Sequence, residues 1–269
     1  MKINNIKSNY ILFLIFNIIL VCNSFAQNNS RINDNNNIGW FNFNSTIKVS
    51  SKFSLNLEYQ WRRDEYIRKW EQSLLRTGVS FNLNPNVQFR VGYGWIETFP
   101  YGDYPINVYG KDFTEHRIYE MITLNNKMSI IDFSHRFMLE QRLVGRYSNA
   151  NLATEDEFLL LNRLRYMIRL QIPLKGKSID DKTPYLATFN EIFIGFGKNV
   201  NENIFDQNRL AILLGYKFNK NLKIEAGYLN QTLQLGREIT GKNVFQNNNG
   251  FLVNTIMNFD FTKLSNSKN

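Results

Sequence analysis

The sequence predicts an all-β protein: a transmembrane, antiparallel up-and-down β-barrel of about twelve strands, with ten as the alternative, that follows a cleaved signal peptide. Three observations predict this fold class. Apolar and polar residues alternate with a period of two over long segments. Short turns alternate with longer polar loops along the chain. The first 26 residues have the pattern of an export signal.

The export signal consists of a basic start, an apolar stretch and a cleavage site. The apolar stretch, residues 11–21, is too short to span a membrane as a helix. Ser24 and Ala26 are the small residues that signal peptidase requires before a cleavage at Gln27. An alternative reading makes Cys22 the lipidated residue of a lipoprotein. The predicted divisions are the signal peptide 1–26, a disordered Asn-rich lead 27–37, the barrel 38–262 and a C-terminal tail 263–269.

The composition excludes several classes of protein. Aromatic residues make up 14% of the chain, yet the mean hydropathy is −0.35, which suits strands that are apolar on one side only. Two histidines and one cysteine argue against a metal site and a disulfide framework, and no cofactor is predicted. The net charge of +9 comes without a Lys/Arg-rich run, so a nucleic-acid partner is not expected.

The period of two is clearest in Phe53–Arg62, where ten residues alternate without interruption. Soluble strands average about 5–6 residues, whereas a tilted membrane strand needs about 9–11. The predicted strands reach the longer class. Eleven are recognisable, but because single-chain bacterial barrels have even strand numbers, we expect either a weak twelfth strand within 28–37 or only ten. The predicted strands are 38–49, 53–62, 70–83, 87–97, 113–124, 128–143, 157–172, 185–196, 207–218, 222–233 and 250–261.

The connections predict an outer-membrane location, with membrane lipid as the partner, because outer-membrane barrels have short periplasmic turns and long external loops. Asn, Pro and Ser mark the short turns 50–52, 84–86, 125–127 and 219–221. The longer loops are 98–112, 144–156, 197–206 and 234–249. Aromatic girdles are then expected at both interfaces, with Trp61, Trp70, Tyr93 and Trp95 outside and Phe81, Phe218, Phe259 and Phe261 inside.

The polar face of the strands is predicted to line the lumen with charges of both signs. Either these charges pair and hold the shape of a small barrel, or they also select a solute, or they catalyse a reaction. Arginines outnumber carboxylates, so a solute would be a small anion. The turn at 125–127 places Glu115 and Arg117 opposite Arg136, with Arg163 and Arg165 beside it. The predicted ionic network is Glu58, Arg62, Arg76, Arg90, Glu115, Arg117, Asp132, Arg136, Glu140, Arg142, Arg163, Arg165, Arg209 and Glu225.

Two other classes of function remain open from the sequence. A lipid-modifying membrane enzyme would need a histidine beside a nucleophile, but His116 and His135 both fall on the outward face. Ser134 neighbours His135 in sequence and points to the opposite face, so these two side chains do not meet. No enzyme activity is therefore predicted. The third class is a soluble exported β-barrel that binds a ligand.

The order of these polar signatures resembles a family of bacterial outer-membrane proteins known only as domain of unknown function 2490. The resemblance covers nearly the whole mature chain, and its most specific segment is Arg136–Arg142, where Met138 replaces an arginine. It implies a barrel and says nothing of a substrate. The matching residues are Glu58, Gln60, Arg62, Gly92, Tyr93, Glu115, His116, Arg117, Arg136, Glu140, Gln141, Arg142, Arg163, Arg165, Glu191, Arg209, Gly215, Tyr216, Glu225, Gly227 and Tyr228.

Overall fold

The computed structural model describes residues 31–200 and 203–262, which form one closed barrel of eleven strands. Neighbours in the chain pair antiparallel, and β1 closes the barrel by pairing with β11. The predicted signal peptide and the tail 263–269 lie outside the described residues. The strands are β1 (Arg31–Lys48), β2 (Phe53–Asp64), β3 (Lys69–Asn84), β4 (Val87–Thr98), β5 (Phe113–Met128), β6 (Ile131–Arg146), β7 (Glu157–Pro173), β8 (Thr183–Phe196), β9 (Phe205–Asn219), β10 (Leu222–Ile239) and β11 (Lys242–Asp260).

The expectation of twelve or ten strands is wrong for the described residues, and so is that of a wholly antiparallel barrel. With eleven strands joined by hairpins, the first and last run in the same direction, so the barrel closes through a parallel pair from Arg31↔Asn243 to Lys48↔Asp260. Two asparagine pairs bridge this seam, each with an Nδ2···Oδ1 distance of 3.0 Å. The even-number rule, rather than the reading of the strands, caused the error.

The Asn-rich segment before residue 38 is ordered as far as the structure describes it. The predicted disordered lead 27–37 is wrong from Arg31 onward, because β1 begins there and pairs with β11 along its whole length. β11 reaches far enough at this end of the barrel to pair with residues 31–37, which explains why this segment is a strand. The predicted loop 234–249 is instead the tip of the β10–β11 hairpin, whose turn carries Thr240 (φ 51°) and Gly241 (φ 69°). Positive φ at both turn residues is the geometry of a two-residue hairpin.

The β5–β6 hairpin turns later than its sequence suggests. Residues 125–127, predicted to be the turn, continue β5, and Met128 pairs with Ile131 across a turn that has Ser129 at φ 59°. This displacement changes which β5 residues lie opposite which β6 residues. The hairpin therefore extends further at this end of the barrel than predicted.

The alternation of the strands sorts side chains as expected. Outward residues such as Leu57 and Val91 are 49% and 54% exposed, whereas inward Arg62 and Glu140 are 4% and 0% exposed. Aromatic rings cluster on the outer surface at both ends of the strands: Phe41, Trp61, Trp70 and Phe99 form a chain of ring contacts at one end, and Phe53 with Phe81 and Tyr216 with Phe218 do so at the other. No helix in the described part of the chain is both long and apolar enough to cross a membrane.

The two ends of the barrel differ. The end that carries the connections 99–112 and 147–156 and the described residues 197–200 and 203–204 is called the loop end here. The opposite end, with the turns 85–86, 129–130 and 220–221, is called the turn end. β1 starts at the loop end and β11 finishes at the turn end. The connection 174–182 is a longer excursion at the turn end.

The interior has an apolar side and an ionic side. On β8 to β11 and β1, inward apolar side chains pack into one buried cluster: Ile38, Trp40, Tyr185, Ala187, Ala211, Leu213, Leu229 and Leu252. Gly215 leaves room for the ring of Tyr185, since a Cβ there would lie 2.3 Å from it. The inward positions of β5 to β7 carry mainly charged side chains, which form the candidate site.

Candidate functional site

Nine charged side chains of β5 to β9 form one continuous network, called the ionic lattice. Its centre is Glu140, which is fully buried. The Glu140 carboxylate accepts hydrogen bonds from Arg117 (3.1 Å), Arg163 (Nε, 2.8 Å) and Arg165 (2.7 Å). Three guanidinium groups therefore share this one carboxylate. The lattice consists of Glu115, Arg117, Arg136, Glu140, Arg142, Arg163, Arg165, Glu191 and Asp206.

Two further carboxylates extend the lattice toward the loop end. Glu115 accepts from Arg117 (2.6 Å) and receives two parallel bonds from Arg142 (2.8 and 2.9 Å). Asp206 on β9 accepts from Arg163. Bidentate guanidinium–carboxylate bonds fix orientation as well as charge. These contacts join β5, β6, β7 and β9 in one arrangement.

The predicted position of Arg136 in this network is wrong. We expected it opposite Glu115 and Arg117, but the later β5–β6 turn places Arg136 opposite Thr123 and Arg117 opposite Arg142. A turn predicted from its polar residues alone fixes the register only if the chain turns at those residues. Here the strands continue past them.

Glu191 connects Arg136 to the rest of the lattice. It accepts from Arg136 and from Arg165, both at 2.7 Å. Of the two β7 arginines predicted to lie beside Arg136, Arg165 therefore does so through a shared carboxylate. Arg163 lies opposite Glu140.

Four predicted site residues lie in smaller groups. Glu58 pairs with Arg76 (2.5 Å). Arg90 donates to Ser80 (2.9 Å) and forms no ion pair with any described residue. Asp132 lies at the turn end, 3.8 Å from Lys127 and partly exposed.

Glu225 belongs to the apolar side of the interior. It is fully buried and accepts hydrogen bonds from Arg169, from the Tyr185 hydroxyl (2.8 Å) and from Asn254 (3.1 Å). This group lies in β7, β8, β10 and β11 and is separate from the lattice. It supplies hydrogen bonds to a carboxylate that would otherwise be buried without partners.

A row of stacked arginine and aromatic side chains crosses the barrel between its two sides. The Arg165 and Arg209 guanidinium groups lie 4.3 and 4.6 Å from the ring centre of Phe193. Arg209 and Arg62 in turn lie 4.8 and 3.9 Å from the ring of Trp40. Among the described residues, Arg62 and Arg209 form no ion pair; amide side chains and these rings are their contacts. Cation–π contacts strengthen where water is excluded.

Above the lattice, a cavity of about 300 Å³ faces the loop end. Its lining includes members of the lattice, the unpaired Arg62 and Arg209, and the loop residues Tyr101 and Tyr147. Tyr101 donates to Gln246 (2.8 Å) and accepts from Asn248 (3.0 Å). Burial raises the pKa of the Tyr101 phenol well above its usual value, which keeps it a neutral hydrogen-bonding group.

Several residues of the site were missed by sequence reasoning. Glu191 and Asp206 complete the lattice, and Glu71 accepts from the Trp40 indole (2.6 Å). Inward parity could have found Glu191, which also belongs to the family resemblance. Trp40 was missed because it is an apolar residue on a face taken to be polar.

The histidines do not form a catalytic arrangement. His116 Nδ1 lies 2.6 Å from the Tyr93 hydroxyl, and His135 Nδ1 lies 2.9 Å from that of Tyr166. Both pairs are on the outer surface, as the alternation predicted. Neither histidine hydrogen-bonds to a serine or a carboxylate in the described part of the chain.

Comparison with known proteins gives one match. The family described as "Protein of unknown function (DUF2490)" matches residues 37–240, which include most of β1 and all of β2 to β10. No curated protein and no solved structure matches the chain. The resemblance inferred from the polar signatures is thereby confirmed.

Proposed function

We propose that this chain, which belongs to the DUF2490 family, whose description assigns no activity, is an outer-membrane β-barrel with a closed interior, exported by a cleaved signal peptide. In this role it is a structural component of the membrane rather than an open pore. The outer surface carries the proposal: it is apolar along the middle of the strands, with aromatic clusters at both ends.

The closed interior is supported by side chains that fill the barrel. Glu140 and Phe193 are both 0% exposed, and the apolar cluster occupies the other side. A permeating ion would have to separate buried guanidinium groups from their carboxylates. The separated charges would then have no other partners in the interior. Fixed charge of this density suits a barrel held in one shape. We propose no catalytic role.

Substitution on the outer surface tests the membrane location. Leu57→Arg, at mid-height on β2, should destabilise the folded barrel by about 2–4 kcal/mol in lipid, because a charge there is exposed to the bilayer centre. Leu83→Arg is the matched control: Leu83 faces outward on β3 but lies at the turn end, where the cost falls to about 0–1 kcal/mol. The folded fraction is measured by heat-modifiable gel migration.

The outcome separates the membrane barrel from a soluble exported binder. Leu57 and Leu83 are 49% and 58% exposed, so in a soluble protein both substitutions would be mild. Equal, small effects would contradict the proposal. Release of the wild-type protein from membranes by carbonate would contradict it independently.

A narrow anion channel is the second candidate, favoured by the arginine-rich cavity at the loop end. Planar-bilayer recording distinguishes the two. The closed barrel predicts no steady current from the wild type. A current whose selectivity moves from anion toward cation in Arg136→Glu would establish the channel instead.

A further inference from the structure

The loop-end cavity carries a large excess of positive charge. Nine arginines and three carboxylates line it. Among the described residues, Arg62, Arg146, Arg209 and Arg237 of this lining form no ion pair. The lattice therefore accounts for the charges in the floor of the cavity. Around it, Glu71 is the carboxylate of the lining that lies near Arg62 and Arg209, so one negative group faces two arginines.

Two of the lining arginines also have a donor without an acceptor. The Nε–H groups of Arg76 and Arg237 are buried and make no hydrogen bond. Arg76 is only 6% exposed, so bulk water does not readily compensate for it. A buried guanidinium donor that lacks a partner is costly, and an anion in the cavity would supply the missing acceptor.

The neutral side chains of the lining indicate the chemistry of the rest of the ligand, beyond its anionic group. Amide side chains at Gln72, Gln207, Gln231 and Gln234 face the cavity together with the Tyr101 phenol. Each amide already has a partner in the barrel wall, since Gln72 donates to Thr98, Gln231 to Gln207 and Gln234 to Asn243. An amide has two N–H donors and an acceptor oxygen, so these groups can also bond to the hydroxyl groups of a small polyol. A volume of about 300 Å³ is at the lower end of the range for small-molecule sites.

We propose that the loop-end cavity binds a small phosphate monoester whose neutral body has the size and hydroxyl content of a sugar. Unpaired Arg62 and Arg209, which are held in place by Trp40, bind the phosphate oxygens. Arginine pairs with phosphate through two parallel hydrogen bonds. A dianionic group matches the excess of unpaired arginines better than a single carboxylate does. The amides of β3, β9 and β10 contact the hydroxyl groups of the body.

The test uses the full mature chain folded in detergent, with glucose 6-phosphate as the probe and isothermal titration calorimetry as the measurement. Three control ligands separate the parts of the probe. Glucose has the neutral body without a charge, gluconate carries a carboxylate in place of the phosphate, and inorganic phosphate is the anion alone. We expect glucose 6-phosphate to bind at least tenfold more tightly than each of the three, and to raise the thermal unfolding midpoint. Equal binding of gluconate or of inorganic phosphate would overturn the assigned class, and no binding of glucose 6-phosphate would overturn the site.

Variants locate the binding. Arg209→Gln should weaken glucose 6-phosphate binding at least tenfold, and Arg146→Gln, at an exposed position of the lining, should weaken it severalfold without disturbing the fold. Arg90→Gln is the control, because Arg90 is also inside the barrel without an ion pair but does not line the cavity. Unchanged binding in Arg146→Gln and Arg209→Gln, or an equal loss in Arg90→Gln, would contradict the site. The binding is measured in detergent, so its outcome is independent of the membrane location.

Discussion

Inward positions on β9 hold Ala211 and Leu213, whereas inward positions on β6 hold Glu140 and Arg142, and all but Arg142 of these side chains are buried. Both strands point successive side chains alternately inward and outward, and both have a mainly apolar outer face. The two sides of the interior are therefore filled to a similar degree by different interactions. Apolar packing depends on shape, and the lattice depends on matched charge and hydrogen-bond geometry.

The two sides of the interior should therefore respond differently to substitution. Loss of an apolar contact leaves a cavity whose cost is local. Loss of one lattice carboxylate leaves several buried guanidinium groups that share too few counter-charges, and removing a guanidinium as well should then relieve part of the damage. Coupling between substitutions, more than the size of any single effect, distinguishes the two sides.

The largest effect is expected at the centre of the lattice. Glu140→Gln should lower the free energy of unfolding by about 3–5 kcal/mol, because three arginines lose their shared carboxylate. Adding Arg117→Gln should restore part of that stability, since Glu115 keeps its bond to Arg142. The control pair adds Arg90→Gln, which lies outside the lattice and should not compensate. The free energy of unfolding of all variants is measured in denaturant. If the effects of Glu140→Gln and Arg117→Gln simply add, the lattice is not a coupled unit.

On the apolar side, Leu213→Ala should cost about 2–5 kcal/mol, because Leu213 is fully buried and its removal leaves a cavity. Combined with Glu140→Gln, its effect on the free energy of unfolding should simply add. A coupling well above about 0.5 kcal/mol between the two substitutions would show that the sides are not independent.

A smaller effect is expected where a polar group enters the apolar side. Tyr185→Phe removes the hydroxyl that donates to Glu225 at 2.8 Å and should cost about 1–3 kcal/mol, since a buried carboxylate loses a partner. Tyr228→Phe is the control, because its hydroxyl bonds to Asn249 on the exposed outer surface. Equal costs in thermal unfolding would contradict the importance assigned to burial.

The smallest effect concerns a charge on the outer face. Glu120 points outward between apolar neighbours on β5 and accepts from Gln141 at 3.2 Å. If this face meets lipid, Glu120→Leu should stabilise the barrel by about 1 kcal/mol, since carboxylates cost less there than the 2–4 kcal/mol of a cation. A loss of stability in lipid vesicles would show that the carboxylate has a structural role.

Much of the fold could be predicted because most strands have one polar face and one apolar face. Each predicted strand overlaps one strand of the structure, and the turn at 84–86 fixes the β3–β4 register that pairs Gly78 with Gly92. The β5–β6 register failed because Asn125 and Asn126 are equally compatible with a turn and with a strand that extends beyond the barrel wall. Local composition does not distinguish these.

The site was harder to predict for a different reason. Alternation identifies inward charges but not which of them meet, since partners such as Arg136 and Glu191 lie on strands that are not neighbours. The apolar side was invisible to the same reasoning, because Ala211 to Leu214 is apolar on both faces and carries no alternation. The closing pair also joins the first strand, β1, to the last, β11, and no local sequence pattern indicates such a pairing.

The most direct test of the outer-membrane barrel is labelling of single cysteines in intact cells with a membrane-impermeant maleimide. The predicted mature chain has no cysteine, so the wild-type protein is the negative control for labelling. Ala150→Cys lies in an exposed loop at the loop end, and Lys220→Cys at an exposed tip of the turn end. We predict that Ala150→Cys is labelled in intact cells and that Lys220→Cys is labelled only after the outer membrane is opened. Labelling of both positions in intact cells, of neither, or of Lys220→Cys alone would contradict the proposed barrel and its orientation.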